Sequence, residues 1–351
     1  MDRTYPVESL TDLGSQALQA VDVPVDEARL TAEALVEADR RGIASHGLLR
    51  LPLYVAAIRA GGIRPRPELR WIRTQGATAV LDADSGLGQV AMAAATDRVA
   101  DLAAEHGAGV VAVQHSTHYG AGAYWTDRLA ARGMIGVVTS TTGPSVTPFG
   151  GVEKILGTNP LTLAAPSSDG AALTADMATS AGAYGKVVAA RNEGREIPAG
   201  WAVDATGRPT TDAESALAGA LLPFGGPKGS AIAVLLEAFS ASLTTANYAF
   251  QTEDIWANNA SQMNTGHLVL ALDTAAFTSR EHTEHRVAEL QQRIRGAAAP
   301  GQQAFAPGDL EHANTGRNRE TVPLASSTVG QLEDLLGSLG LPDDLIPDPA
   351  D

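Results

Sequence analysis

Apolar residues follow two different spacings along this chain, and the change between them divides it. Over residues 5 to 60 they recur at helical intervals, with no convincing strand. The segment EARLTAEALVEADRRG places Leu30, Ala34, Leu35 and Ala38 on one face, with Asp26 as the expected N-cap and Gly42 as the stop. The segment LLRLPLYVAAIRAGG carries Leu49, Leu53, Ala57 and Ile58 on its apolar face and ends at Gly61 and Gly62. Pro52 must then fall in its first turn, where a missing N–H costs nothing. Between the two helices lies Ser45-His46-Gly47.

From about residue 70 short β-branched runs alternate with amphipathic stretches. Strands are predicted at TAVLDAD near 80, GVVAVQ near 111, MIGVVTS near 137, LTLAAP near 163, AALTADM near 174 and HLVLALD near 270. Helices are predicted at QVAMAAATDRVADLAAEHG, AYWTDRLAARG and SAIAVLLEAFSASLTTA, which makes an α/β core with a sheet covered on its faces. The connection from Ser140 to Gly157 holds no clear helix, so the sheet should be mixed rather than uniformly parallel. A charged helix near 285, a loop APGQQAFAPGD and an amphipathic helix SSTVGQLEDLLGSLG follow, and PDDLIPDPAD reads as a frayed tail.

With 351 residues the chain can bury a sizeable core, about two domains by length. A net charge of -15 supplies no basic face for nucleic acid or an anionic membrane. Cysteine is absent, which excludes disulfides, thiolate metal sites and a cysteine nucleophile. No apolar run is long enough to span a bilayer and MDRTYPVESL lacks a signal-peptide core, so the expected location is the cytoplasm.

Candidate chemistry gathers at three places. In GVVAVQHSTHYGAGAY a strand delivers His115 and His118 into a Gly-x-Gly turn that opens a helix. Two histidines three apart with no third ligand are a weak metal pair. An imidazole that takes a hydroxyl proton while hydride leaves the same carbon is the better reading, beside that of a solvated loop histidine. His46, Arg50 and Tyr54 stand four apart, and a guanidinium fork, a phenol and an imidazole suit a small carboxylate, although Arg and Tyr on a helix often only line a surface. Asp176 closes an apolar strand at an edge where sites form; it could orient an imidazole, bind a ribose hydroxyl or cap a helix with Thr179 or Ser180. The run Gly120 to Trp125 begins like a dinucleotide fingerprint and fails it at Trp125, and GGPKGS falls short of a phosphate-binding loop because Gly229 separates Lys228 from Ser230.

Taken in order, ADRRGIASHGLLRLPLY, STHYGAGAYW, PFGG, GTNP, DMATS with AYGK, IPAGWAVDATGRPTTD, GGPKG, GHLVLALD and APGD resemble the malate/L-lactate dehydrogenase family of the second type, over nearly the whole chain. That group includes sulfolactate, ureidoglycolate and diketogulonate dehydrogenases and piperideine-2-carboxylate reductases. The resemblance implies a three-layer α/β core with a mixed, largely antiparallel sheet and a non-Rossmann dinucleotide site. A helical domain from the chain termini (1–70 with 290–351) would flank the core (71–289), whose NAD(P)-binding region spans about 115–245. It implies NAD or NADP as cofactor, a small carboxylate substrate and a homodimer. His118 is the implied proton carrier, with His46 and Asp176 as the other catalytic groups. Arg50, Tyr54 and Thr142 are the implied substrate contacts. Ser45, Gly120, Asp176, Met177, Ala178, Pro227, Lys228, Pro307, Gly308 and Asp309 are the implied cofactor contacts.

The reaction implied is hydride transfer between a nicotinamide and a small 2-hydroxy acid. Reduction of a cyclic imino acid is the alternative within the class, and a catalytically silent dinucleotide-binding relative the alternative outside it. Departures from the family pattern are Ser230 in place of a large residue, no proline after Asp212, and a poorly matched stretch over residues 247 to 265.

Overall fold

The structure, a computed structural model, describes residues 3–349. Its first element corrects the all-helical expectation for residues 5 to 60. Strand β1 (Arg3–Pro6) pairs antiparallel with Thr321–Leu324, near the far end of the chain. Four residues carry no readable period, and the partner is remote in sequence. Helices α1 (Val7–Gln19) and α2 (Val25–Arg40) follow. Pro24, not Asp26, caps α2, and its carbonyl accepts the Ala28 N–H at 2.8 Å. Asp26 sits in the first turn, where its charge still favours the helix dipole.

The expected second helix is split. Two 3-10 turns, Ala44–His46 and Leu48–Arg50, precede α3 (Leu51–Ala60), because Gly47 between them is extended. Buried Asp39 of α2 fixes that break: it accepts the Leu48 N–H at 2.8 Å, and a Cβ at Gly47 would stand 2.0 Å from its Oδ1. Pro52 falls in the first turn of α3, and Gly61 ends the helix at φ 84°.

The chain then runs β2 (Arg70–Gln75), β3 (Thr78–Asp82), α4 (Gly88–His106), β4 (Ala108–Ser116), α5 (Gly122–Ala131), β5 (Met134–Ser140), β6 (Leu161–Ala165) and β7 (Leu173–Met177). After α6 (Tyr184–Asn192) come β8 (Ala202–Val203), β9 (Pro209–Thr210), α7 (Ala213–Ala218) and β10 (Ala220–Leu221), a small three-stranded unit, and then α8 (Pro227–Ala241) and β11 (Thr265–Asp273). The main sheet has the order β2-β3-β4-β11-β5-β6-β7, with β3 and β4 parallel and every other neighbouring pair antiparallel. The sheet is therefore mixed, as the helix-free Ser140 to Gly157 connection predicts. Six of its strands are the predicted ones. The seventh, β2, is exposed at all six positions of RWIRTQ, so no buried face marks it in the sequence.

Helices cover both faces of this sheet. Val269 and Ala271 of β11 pack with Val111, Val113 and Trp125 under α4 and α5. Gly266 points the other way, where a Cβ would stand 2.1 Å from the Ser240 carbonyl of α8. A second apolar cluster joins α1, α2 and α3 to β12 (Thr321–Leu324) and α11 (Ser326–Leu339).

The charged helix expected near 285 is α9 (Arg280–Arg295), joined to the β6–β7 connection through Arg295 and Asp169. The loop after it ends at Asp309 as expected, but there begins α10 (Asp309–Arg317), a helix the sequence pattern does not announce. The tail is ordered further than its composition suggests: Asp343–Leu345 form a 3-10 turn, and Leu345 and Ile346 pack on the terminal cluster. Its last residues, Ala350 and Asp351, and Met1 and Asp2 at the start, lie outside the described residues. Among the described residues no helix is long and apolar enough to cross a membrane.

Candidate active site

The two histidines after β4 part company. His115 adopts φ 49°, its N–H donates to Asn264 Oδ1 at 2.7 Å, and its Nδ1 lies 3.1 Å from Asp82. His118 turns instead toward the 3-10 turns before α3. The pair therefore shares no ligand position, and among the described residues no cluster of three or more His, Asp or Glu side chains could hold a metal ion.

Around His118 the structure assembles the residues of the split helix. His118 Nδ1 lies 2.6 Å from the Tyr54 hydroxyl, which also receives the Gln89 side-chain N–H at 3.1 Å. Tyr54 and Gln89 are fully buried. The His46 ring stacks on His118 at 5.4 Å, and the Trp256 ring meets it edge-on at the same distance. The Arg50 guanidinium lies over Trp256, 5.0 Å from the ring centroid, and its Nε donates to the Ser45 carbonyl at 2.6 Å. Ser45 Oγ lies 2.9 Å from His46 Nδ1. The turn thus fixes Arg50 by its Nε, while its two terminal nitrogens make no hydrogen bond among the described residues and can take a ligand.

Burial controls the protonation of this group. It holds His118 well below the usual imidazole range, helped by the charges of His46 and Arg50. It also lowers His46, with Arg50 adding to the effect and Asp176 opposing it. Tyr54 is pushed up to about 12, again by burial. At neutral pH His118 and Tyr54 form a neutral pair whose hydrogen bond can run in either direction. If Tyr54 donates, the imidazole proton sits on Nε2; if Nδ1–H donates, Nε2 is an open base.

Thr142, just beyond β5, spends its hydroxyl inside the chain, accepting the Thr158 N–H at 2.8 Å. The residue after it, Gly143, lies against Asp254, which shares the Trp256 segment. Behind His118, His267 of β11 is buried between Ser140 and Ser116, 2.8 Å from each hydroxyl, and burial drops its pKa to about 3.

The segments expected to hold a cofactor lie along β7 and the residues that follow it. Asp176 accepts the Ala123 N–H at 2.9 Å and the Thr162 hydroxyl at 2.7 Å, so it caps α5 across the sheet rather than forming a local cap with Thr179 or Ser180, and among the described residues it makes no hydrogen bond to an imidazole. Met177 and Ala178 follow it, exposed. Phe224 N–H donates to the Thr179 carbonyl and Ala181 N–H to the Leu222 carbonyl, which brings Gly225, Gly226, Pro227 and the exposed Lys228 alongside. From the other side Thr174 N–H donates to the Pro307 carbonyl, and Gly308 takes φ 91° against Thr174. Asp309 pairs with Arg295 at 2.7 Å and accepts the Ala306 N–H at 2.8 Å, so its carboxylate holds its own loop. Gly120, at φ 85°, makes the turn between His118 and α5.

Two sequence departures have structural accounts. Buried Ser230 accepts the Phe149 N–H at 2.9 Å, and Asp212 caps α7 by accepting the Ser215 N–H at 2.7 Å without a following proline. Sequence reasoning missed Gln89, Asp254, Trp256 and His267. Gln89 and His267 are polar residues at the start of strongly apolar runs, the one signal they offer.

The malate/L-lactate dehydrogenase family profile matches residues 5–333. The (2R)-3-sulfolactate dehydrogenase (NADP(+)) of Chromohalobacter salexigens is 36% identical over 95% of this chain and 98% of its own length. The ureidoglycolate dehydrogenase (NAD(+)) of Escherichia coli is 35% identical over 86% of both chains. Among solved structures, the sulfolactate dehydrogenase from Methanocaldococcus jannaschii superposes with a TM-score of 0.91 at 35% identity, covering 98% of this chain and 99% of that one. By profile, sequence and structure, the chain belongs to the malate/L-lactate dehydrogenase family.

Proposed function

We propose that this chain is an NAD(P)-dependent oxidoreductase that interconverts a small 2-hydroxy acid and its 2-oxo acid, with His118 as the proton carrier. The observation that carries this reading is the 2.6 Å contact between His118 Nδ1 and the buried Tyr54 hydroxyl, set beside the unclaimed fork of Arg50. Arg50 holds the substrate carboxylate. His118 Nε2 takes the hydroxyl proton in oxidation or returns it in reduction, and the Tyr54 hydroxyl, accepting from Nδ1–H, fixes the ring and stabilises the imidazolium formed in between. His46 stacks on the other face of His118 and keeps water from it. Thr142 positions the far wall through Thr158.

The segments along and after β7 fit a nicotinamide dinucleotide. Exposed Met177 and Ala178 offer a strand end, while Lys228 and the first turn of α8 offer positive charge for phosphate. When bound, the nicotinamide supplies or accepts the hydride at the reacting carbon. Asp176 and Asp309 act by holding the surrounding loops in place, with Ser45, Gly120, Pro227, Pro307 and Gly308 as backbone contacts. In this reading the site lies between the helical part (1–70 with 290–351) and the α/β core (71–289), and the protein acts as a homodimer in the cytoplasm.

The test is oxidation of NADH and of NADPH by the purified protein with pyruvate, oxaloacetate, sulfopyruvate and oxalurate, which ends in a urea, alongside His118→Ala. Activity that falls about a hundredfold or more in the variant supports the assignment. Undiminished turnover in the variant refutes it.

A further inference from the structure

The stretch over residues 247 to 265, which departs from the family pattern, places two side chains in the site that the reaction leaves without a role. Trp256 is 43% exposed, with its ring in T-shaped contact with His118 and its face under Arg50. Half-buried Asp254 stands two residues earlier. Its Oδ1 accepts the Trp256 N–H at 3.1 Å, which sets the indole. Its Oδ2 lies beside Gly143, where a Cβ would stand 2.5 Å away, and makes no hydrogen bond among the described residues. No Lys, Arg or His nitrogen of the described residues lies within ion-pair distance of Asp254, yet its charge reaches Arg50. Burial raises its carboxyl to about 6, so at pH 7.5 it is still ionised.

An acid beside the cation that receives the substrate carboxylate has a consequence for what else the substrate can carry. Tyr54 and Gln89 fill the space behind His118. A substituent beyond the reacting carbon therefore extends along the open side, where Trp256 supplies the apolar surface and Asp254 the charge. We propose that Asp254, with Trp256 as its apolar floor, selects 2-hydroxy and 2-oxo acids whose far end is a neutral or cationic hydrogen-bond donor, such as an amide, urea or amine, and rejects those ending in a second carboxylate or sulfonate. A donor N–H or ammonium satisfies the free Oδ2, whereas a second anion meets a like charge in a partly desolvated wall. The orientation of the substrate rests on the function proposed above.

The deciding comparison uses a pair of equal shape, malate and 2-hydroxysuccinamate, which differ in one terminal group. Oxidation is measured as kcat/KM, and binding to the protein with reduced cofactor, a combination that cannot react, is measured by quenching of tryptophan fluorescence. The amide is expected to be favoured by about tenfold or more, and Asp254→Asn, which keeps the acceptor for the Trp256 N–H, should bring the ratio to within about threefold of unity. A wild-type protein that treats the two alike or prefers malate overturns the proposal, and so does a ratio that Asp254→Asn leaves unchanged. If neither compound is oxidised, the binding ratio still decides on Asp254, while the proposed reaction fails separately.

Discussion

The Tyr54 hydroxyl and His118 Nδ1 lie 2.6 Å apart with the Gln89 amide behind them, so the imidazole that faces the site is held by a partner able to donate or accept. A proton arriving at Nε2 makes an imidazolium whose Nδ1–H donates to the Tyr54 oxygen, so the buried charge has a hydrogen-bond partner while it lasts. Tyr54→Phe removes the partner and leaves Nδ1 unpaired. Turnover should fall by about tenfold to a hundredfold with KM little changed, and circular dichroism should report an unaltered fold. A variant with wild-type kcat would separate Tyr54 from proton transfer.

Arg50 is fixed by two features that lysine lacks. Its Nε donates to the Ser45 carbonyl and its plane lies over Trp256, so the fork is oriented before a ligand arrives. Arg50→Lys keeps the charge and loses both constraints. The expected outcome is a rise in KM for the acid of about tenfold or more, with a smaller loss in kcat. Steady-state kinetics over a range of substrate concentration reads the split directly, and an unchanged KM would remove Arg50 from the carboxylate site.

How far the sequence carries is visible in these same residues. The β-branched runs announce six strands of the main sheet, since each has a buried face; β2 has none and stays hidden. His46, Arg50, Tyr54 and His118 were legible because a turn, a helix face and a strand end are local patterns. Their meeting was not, because it depends on Asp39 breaking the helix at Gly47. Asp254 and Trp256 were illegible for another reason: they sit in an irregular loop, where neither periodicity nor spacing speaks. Asp176 shows a different limit: a carboxylate at a strand end reads as chemistry or as a local cap. The partner it accepts from in the structure, the N–H of Ala123 in the first turn of α5, lies 53 residues earlier in the chain, beyond any local pattern.

Helix α8 presents Leu235 at 54% and Phe239 at 48% exposure, four residues apart and so on one face. Leu243 continues that apolar strip just beyond the helix end. A strip of this kind is what a second copy of the chain would cover, and it supports the proposed homodimer. Leu235→Arg together with Phe239→Asp should convert the protein to a monomer by sedimentation or light scattering. A variant that keeps the wild-type mass would place the interface elsewhere.

Asp39 ties the stability of the site to pH. Its carboxyl is buried, accepts the Leu48 N–H, and is pushed up to about 7 by desolvation, from an ordinary value of 3.8. A raised carboxyl pKa means that the folded state holds its proton more tightly than the unfolded chain does. The stabilisation that comes from the protonated form is therefore complete below about pH 4 and is lost as pH rises through 7. Asp39→Asn has nearly the same shape, keeps an acceptor for Leu48 and cannot ionise. It should raise the melting temperature at pH 8, where the wild-type protein must bury a charge, and make little difference at pH 4 to 5, where both side chains are neutral. Thermal unfolding at the two pH values makes the comparison. An equal shift at both would mean that the amide acts through packing, and a loss at pH 8 would mean that the charge itself supports the turn bearing His46 and Arg50.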